Sequence, residues 1–380
     1  MLRSPLASER ITMIDPTTRS KIVQLTSYPT PTRHLFYAWP SITPDNRRVI
    51  LYCQRSTRRS APTDLFRVDT DGLDLFQLTE RPPEVAGLNA VLSLDGRTVY
   101  AIWGTEQVLQ AIDVETGKME PLISIRDAVK GPWGISNFHL ARMGREVFFE
   151  LRDPYVGGGM FLRVDLGTGR IEANQSDQVV AGCFQGSGRI EVIRNYQRVE
   201  ALPQADGTRV MKNVRPEPMT AWSMNPDGTD EKFIARVDMF GHHTILGRTE
   251  LVQGTGQPPE RCIWLVEPGQ PPEKIAQGPY FWHSGPSFDG EWIVADTSWP
   301  DEGIKLIHVP TRHWRTLCHA NAVQEHAGTH PHPGLSQDGR IVVFGSDRTG
   351  VPQVYVAHIS DEFRESVKAG ELDRPRDKWI

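Results

Sequence analysis

The sequence predicts an all-β fold, a seven-bladed β-propeller closed by an N-terminal strand, on three observations. A turn followed by a short β-rich run recurs seven times in 380 residues, most of these units hold a second hairpin turn, and the two ends complement each other. The copies read TPDNRRVILYC from Thr43, SLDGRTVYAIW from Ser93, RMGREVFFEL from Arg142, GSGRIEVI from Gly186, LGRTELVQ from Leu246, SFDGEWIVAD from Ser287 and SQDGRIVVFGS from Ser336. Their turn residues, Asn46, Gly96, Gly144, Gly188, Gly247, Gly290 and Gly339, are separated by 50, 48, 44, 59, 43 and 49 residues. Asn or Gly supplies the positive φ of a tight turn, and β-branched or aromatic residues follow at strand spacing.

The second turns are VDTDGLD at Val68, DVETGKM at Asp113, VDLGTGR at Val164, MNPDGTD at Met224 and VEPGQPP at Val266. Two hairpins per unit make a four-stranded antiparallel sheet, and seven units of about 45 residues have the period of a propeller. The unit from Ala181 to Asp238 is the longest and least regular. The last unit has strands at Ile341–Gly345 and Gln353–Ala357 and then lacks an outer strand, whereas IDPTTRSKIVQLTS from Ile14 is an outer hairpin without an inner half. Docking the strand at about Lys21–Thr26 onto the last sheet closes the ring. The expectation is one domain over about residues 14–359 of 1–380, with the charged tail 360–380 as a short helix or frayed end.

Composition agrees. Gly 33 and Pro 29 suit many short strands and turns, not a helical bundle. A net charge of -5 gives no global basic field for nucleic acid or an anionic membrane, so neither is expected as a partner. No apolar run approaches the ~18 residues of a membrane span, and the N-terminus has no signal-peptide stretch. Cys53, Cys183, Cys262 and Cys318 lack paired spacing and read as buried free thiols of a reducing compartment, which points to the cytoplasm.

In a propeller the leading ends of the inner strands, with the loops between second and third strands, line one face of the channel. The last three blades offer histidine there. His283 precedes Gly290 by seven residues, and His332 precedes Gly339 by seven. His330 lies two residues before His332, on the same side of an extended strand, within chelating reach of one metal. His242 and His243 occupy nearly the same place one blade earlier. A single strand histidine is ordinarily a surface or hydrogen-bonded core residue. Three at matching blade positions point to a metal, and imidazole suits Mn, Fe, Co, Ni or Zn. His326, four residues before His330, and His34, before the first inner strand, are further candidates for this face.

Arginines form a second pattern: Arg55, Arg58 and Arg59 in CQRSTRRSAPTD, Arg152 in ELRDPYVGGG and Arg348 in GSDRTGVPQ. All follow second strands, and a basic rim on an acidic protein suggests an anionic ligand held in bidentate fashion. Exposed hairpin loops also carry arginine without function. The chain has no GxSxG elbow, no P-loop and no GxGxxG between strand and helix. VGGGM at Val156 reads as a flexible loop.

Four segments carry a resemblance that runs in order over nearly the whole chain: DPTTRSKIVQLTSYPTPTRHLFYAWPSITPDNRRVIL, GHHTILGRTELV…ERCIWLV, FWHSGPSFDGEWIV and HPHPGLSQDGRIVVFGSDRTGVPQVYV. They resemble the oligogalacturonate lyases, polysaccharide lyase family 22. The SDG-type turns and SDRTG are shared with TolB-like propellers in general; the ordered histidines are more specific. The resemblance implies a seven-bladed, usually cytoplasmic enzyme that splits short pectic fragments with Mn²⁺, held by three histidines and a glutamine. It maps the histidines onto His283, His330 and His332 and the catalytic base onto His242 or His243. The family's glutamine position is Ala327 here, with Gln324, His326 or water as replacements. An arginine near the family's base has candidates in Arg215 and Arg236. The implied reaction is β-elimination at a 4-linked uronate of an acidic oligosaccharide. A lyase for another uronate, glucuronate-containing or rhamnose-capped, and a non-catalytic TolB-like binding propeller are the alternatives. Oligomeric state is not legible.

Overall fold

Seven antiparallel sheets follow one another along the chain, as the repeat requires. The computed structural model describes residues 5–57, 61–82, 84–128, 134–152, 159–176, 179–194, 198–203, 209–214, 218–298, 302–325 and 327–373. Blades 1 to 6 each run outward from an inner strand in chain order. Those inner strands are Thr32–His34, Leu88–Leu92, Gly134–Ala141, Val179–Cys183, Phe240–Ile245 and Phe281–Pro286. Blade 4 is long because a separate hairpin, Arg198–Pro203 with Arg209–Val214, is inserted between its second and third strands.

Blade 7 joins both ends of the chain. Its inner strand is only Gly334–Leu335, followed by Ile341–Ser346 and Gln353–His358. The N-terminal strand Lys21–Gln24 then pairs with the last of these, Ile22 opposite Ala357 and Val23 opposite Val356. Ile11–Ile14 adds a fifth strand outside it. Ile22 and Val23 are 1% and 2% exposed, and burying each side chain contributes roughly 1.5–3 kcal/mol to closure.

The core is divided into seven apolar clusters, one between each pair of neighbouring blades. Strand alternation produces this. In blade 7, Val342, Phe344, Tyr355 and Ala357 face blade 6, while Ile341, Val343, Val354 and Val356 face blade 1. Strands buried on both faces explain continuous runs such as WIVA and IVVF. Seven clusters for seven blades close the ring.

All seven repeat-turn residues have positive φ, from 56° at Gly247 to 79° at Gly290. At Gly247 a Cβ would also lie 2.5 Å from the carbonyl oxygens of Ser287 and Phe288, so blade 6 packs where a side chain would stand. In blade 6 the outer hairpin turns on Arg312 (φ 64°) in place of glycine, which hid that turn from sequence reading. The tail forms a helix, Asp361–Lys368, capped by Ser360, whose hydroxyl accepts from the Phe363 N–H. Its Val367 is buried in the cluster between blades 6 and 7. Among the described residues no helix is long and apolar enough to cross a membrane, and all four cysteines are free and buried.

Candidate metal centre and flanking histidines

Blades 5 and 6 enter the channel through the same irregularity. In blade 6, Phe281 pairs with Thr297 and Ser284 with Ala295, so three steps on the inner strand oppose two on its partner. In blade 5, Phe240 pairs with Gly256 and His243 with Gly254. Each bulge inserts one residue and re-aims the side chains around it. The two strands superpose as Phe240-Gly241-His242-His243 on Phe281-Trp282-His283-Ser284, which makes His242 and His283 equivalents.

The residue opposite each bulge ties it down. In blade 6 this is Asp296, whose Oδ1 accepts the His283 N–H at 2.6 Å and whose Oδ2 lies 2.9 Å from His283 Nδ1. In blade 5 it is Thr255, whose hydroxyl accepts the His242 N–H at 3.1 Å and donates to the Trp282 carbonyl at 2.9 Å. Asp296 is 1% exposed. Burial works to raise its pKa, but the charge and hydrogen bond of His283 outweigh this and hold it below the usual carboxylate range. A carboxylate accepting from Nδ1–H leaves the Nε2 lone pair of His283 for a ligand.

His330 and His332 come together differently from expectation. They precede the short inner strand of blade 7 and belong to no strand. His332 has φ 46°, in the left-handed region, where non-glycine residues cost of order 1–3 kcal/mol unless their surroundings fix them. Here the surroundings do. The His332 N–H donates to Asp296 Oδ2 at 3.2 Å, and its Nδ1 lies 3.1 Å from the His330 carbonyl. His34 Nε2 lies 2.8 Å from the His332 carbonyl, and the Tyr37 ring stacks on His332. A local turn, not strand alternation, therefore makes the two imidazoles converge.

Together His283, His330 and His332 bring one ligand nitrogen each to within 4.8 Å of one another. The donor set fits a divalent transition metal: three imidazoles, with the Nδ1 atoms of His283 and His332 engaged elsewhere. Burial pushes His332 down to about 3, so it is neutral and its lone pair is available. Gln324 Nε2 donates to the carbonyl of Thr297, next to Asp296, at 3.2 Å, while its buried Oε1 has no hydrogen-bond partner among the described residues.

The two flanking histidines have different surroundings. The His242 ring stands 4.4 Å from that of His283 and edge-on to Trp282, and it makes no hydrogen bond among the described residues. Burial, reinforced by the charge of His283, depresses it to about 4, so it is a neutral base at physiological pH. His243 Nε2 instead lies 2.8 Å from Glu191 Oε1 of blade 4. Burial opposes its charge, but the Glu191 carboxylate wins and raises its pKa. Glu191 reaches across because its strand partner is Gly182, where a Cβ would lie 3.3 Å from the carboxylate. His242, His243 and Glu191 all line a channel cavity of about 610 Å³, together with Arg33, Phe36, Tyr37 and Trp39.

Of the expected basic rim, the side chains of Arg55 and Arg348 are described, and both have partners away from the cavity. Arg55 pairs with Glu9 at 2.7 Å and lies over Tyr28, fastening the N-terminal segment to blade 1. Arg348 donates to the carbonyls of His319 and Ala320, each at 2.6 Å, and braces the blade 7 hairpin. Nearby acceptors engage both guanidinium groups, and neither residue lines the cavity. His34 is buried, and burial holds it at about 4; it supports the His332 loop and does not face the cavity. Arg236 pairs with Asp238. Arg58, Arg59, Arg215 and His326 lie outside the described residues, as does the side chain of Arg152. Sequence reading missed Asp296, Glu191 and Arg33. Only Asp296 left a signal, a carboxylate ending the apolar run WIVA.

No protein-family model matches the sequence, and no curated protein does. Solved structures do. An oligogalacturonate lyase in complex with manganese superposes with TM-score 0.73 at 17% identity, over 95% of this chain and 99% of the other. An oligogalacturonate lyase from Vibrio parahaemolyticus gives 0.71 at 16% identity, over 96% and 100%. The likeness is one of fold. The propeller domain of the trilobed protease from Pyrococcus furiosus gives 0.50 at 11%, over 86% and 96%. Relatedness at this level fixes the seven-bladed scaffold; the chemistry has to be argued from the site.

Proposed function

We propose that this protein is a metal-dependent lyase that cleaves 4-linked uronate bonds of acidic oligosaccharides, oligogalacturonides first among them, by β-elimination. The observation that carries the reading is the neutral His242 imidazole, held 4.4 Å from a ligand ring of a three-histidine cluster and open to the cavity. His283, His330 and His332 would hold the metal, with Gln324 Oε1 as a fourth donor. A bound divalent cation, Mn²⁺ by analogy with the manganese-bound lyase, supplies a Lewis acid for the negative charge that develops on the uronate carboxylate.

His242 takes the C5 proton on a ring nitrogen. The C5–H electron pair becomes the C4–C5 double bond, the C4–O bond breaks with its pair leaving on oxygen, and solvent protonates the leaving group. His243, committed to Glu191, is not the base. Asp296 and His34 act through the ligands they position. Ala327, where the lyases of this fold family are expected to carry glutamine, supports a second reading in which the same chemistry serves a glucuronate-containing or rhamnose-capped oligosaccharide. Four free, buried thiols are consistent with a reducing, cytoplasmic setting.

The test is the ultraviolet absorbance of the unsaturated product, with oligogalacturonides and Mn²⁺ and a chelated control. A chelator-sensitive rise that disappears in His242→Ala supports the assignment. No rise from folded, metal-loaded protein on any uronate oligomer would remove it.

A further inference from the structure

The cavity beside His242 carries one unbalanced charge. Its glutamate, Glu191, is taken by His243. Arg33 is the only arginine or lysine among the described residues lining it, and among those residues no carboxylate or hydrogen-bond acceptor is paired with it. Two buried arginines elsewhere show the contrast, Arg48 paired with Asp69, Asp74 and Glu115 and Arg163 with Glu146. Arg33 is nevertheless held in place. On the strand Thr32–His34 its neighbours turn into the core, and alternation sends Arg33 to the opposite face. There its guanidinium lies 4.8 Å above the Tyr52 ring.

Tyr52 is itself fixed, because its hydroxyl oxygen accepts from the Ala90 N–H of blade 2 at 2.8 Å. Burial pushes the phenol up to about 12, so the platform stays neutral. A guanidinium packed by its face keeps its N–H edge for a planar, bidentate partner. Phe36, 46% exposed on the same cavity, offers an apolar surface beside it. The adjacent His34 supports His332, so this position and the candidate metal centre are joined by one short strand.

We infer that Arg33 on Tyr52 is a carboxylate-binding subsite for the uronate unit next to the one that reacts at His242. The inference rests on the lyase reading and narrows it: the substrate carries acid groups on at least two neighbouring sugars. The protein then selects against chains whose second unit is neutral, such as a methyl ester.

Calorimetric titration of the His242→Ala protein with Mn²⁺ present tests this without turnover. The probes are galacturonate, digalacturonate and digalacturonate methyl-esterified on one unit. Adding Arg33→Gln should weaken digalacturonate by about tenfold to a hundredfold, the worth of a charge-assisted bidentate contact. Galacturonate should change little, and Arg33→Lys, which keeps the charge and loses the fork, should fall between. Digalacturonate binding unchanged by Arg33→Gln overturns the subsite and leaves the lyase reading standing. Equal weakening of galacturonate and digalacturonate overturns the assignment to a second unit. If the folded, Mn²⁺-loaded parent binds no uronate, the lyase reading falls and the subsite with it.

Discussion

Replacing Asp296 with Asn tests the candidate metal centre through a residue that touches no metal. Asp296 accepts from three donors, the His283 N–H at 2.6 Å, His283 Nδ1 at 2.9 Å and the His332 N–H at 3.2 Å. An asparagine can offer its oxygen to only one side. With oxygen toward the His283 backbone, its NH₂ faces Nδ1–H and the His332 N–H; flipped, the NH₂ faces the His283 N–H. Each unmet donor costs about 1–3 kcal/mol. His283 escapes the first conflict by moving its proton to Nε2, which removes the lone pair a metal needs. Loss of such a partner typically costs about 10–100-fold in metal affinity, or roughly 1.4–2.7 kcal/mol. The assay is Mn²⁺ titration by calorimetry, with metal content measured after dialysis and the His283→Ala protein as the no-ligand reference. Wild-type Mn²⁺ affinity in a destabilised Asp296→Asn protein would refute the reasoning, since the carboxylate would then hold the bulge and not the tautomer.

Three more outcomes are expected. His242→Ala should lower lyase turnover by about 10²–10⁴-fold, the usual worth of a general base, while retaining bound Mn²⁺; retained turnover would transfer the proton to another group. Glu191→Gln should cost about 3–5 kcal/mol by breaking a buried pair, which at about 2.1 cal/mol/K per residue lowers Tm by roughly 4–6 °C. Because Glu191 raises the pKa of His243, that stabilisation is complete below about pH 6.5 and disappears as pH rises through the raised value, so the wild-type advantage in Tm should shrink as the solution is made alkaline. Asp15, buried against His319 at the N-terminal closure, has burial opposing its charge but hydrogen bonds from His319 and Thr18 that hold it well below the usual carboxylate range. Its stabilisation is therefore present above about pH 4 and lost as pH falls further, and Asp15→Asn should lower Tm at neutral pH but not in strong acid.

The ring was legible because propellers repeat a short-range signal. Each turn residue declared its own blade, and the missing outer strand at one end matched the extra hairpin at the other. The histidines were legible for the same reason, through an equal offset from Gly290 and Gly339. What local reading could not supply was contact across blades. Glu191 and His243 are far apart in sequence and meet because Gly182 leaves room. The convergence of His330 and His332 needed a left-handed residue that nothing nearby signals, since histidine is not glycine. Arg55 and Arg348 were placed by loop position alone, and partners elsewhere in the chain, Glu9 and the His319–Ala320 carbonyls, engage their guanidinium groups.

Blades 5 and 6 carry the same bulge and the same imidazole, so under the proposed lyase reading the difference between a ligand and a base has to come from the residue opposite. In blade 6 that residue is Asp296, which reaches both the backbone and Nδ1 of His283 and fixes one nitrogen as donor, the other as lone pair. In blade 5 it is Thr255, whose hydroxyl satisfies only the backbone of His242 and leaves both ring nitrogens without a partner among the described residues. A ligand needs a fixed tautomer and a base must exchange its proton, and one carboxylate-to-hydroxyl difference between neighbouring blades provides both. Thr255→Asp should then draw His242 toward ligand behaviour. A carboxylate there can accept from Nδ1–H as Asp296 does, raising the pKa of His242 from about 4 and immobilising its proton. Histidine NMR would register the new hydrogen bond, and turnover would fall with Mn²⁺ still bound. A Thr255→Asp protein whose His242 titrates unchanged would show that the opposing residue does not set the role of the bulge histidine.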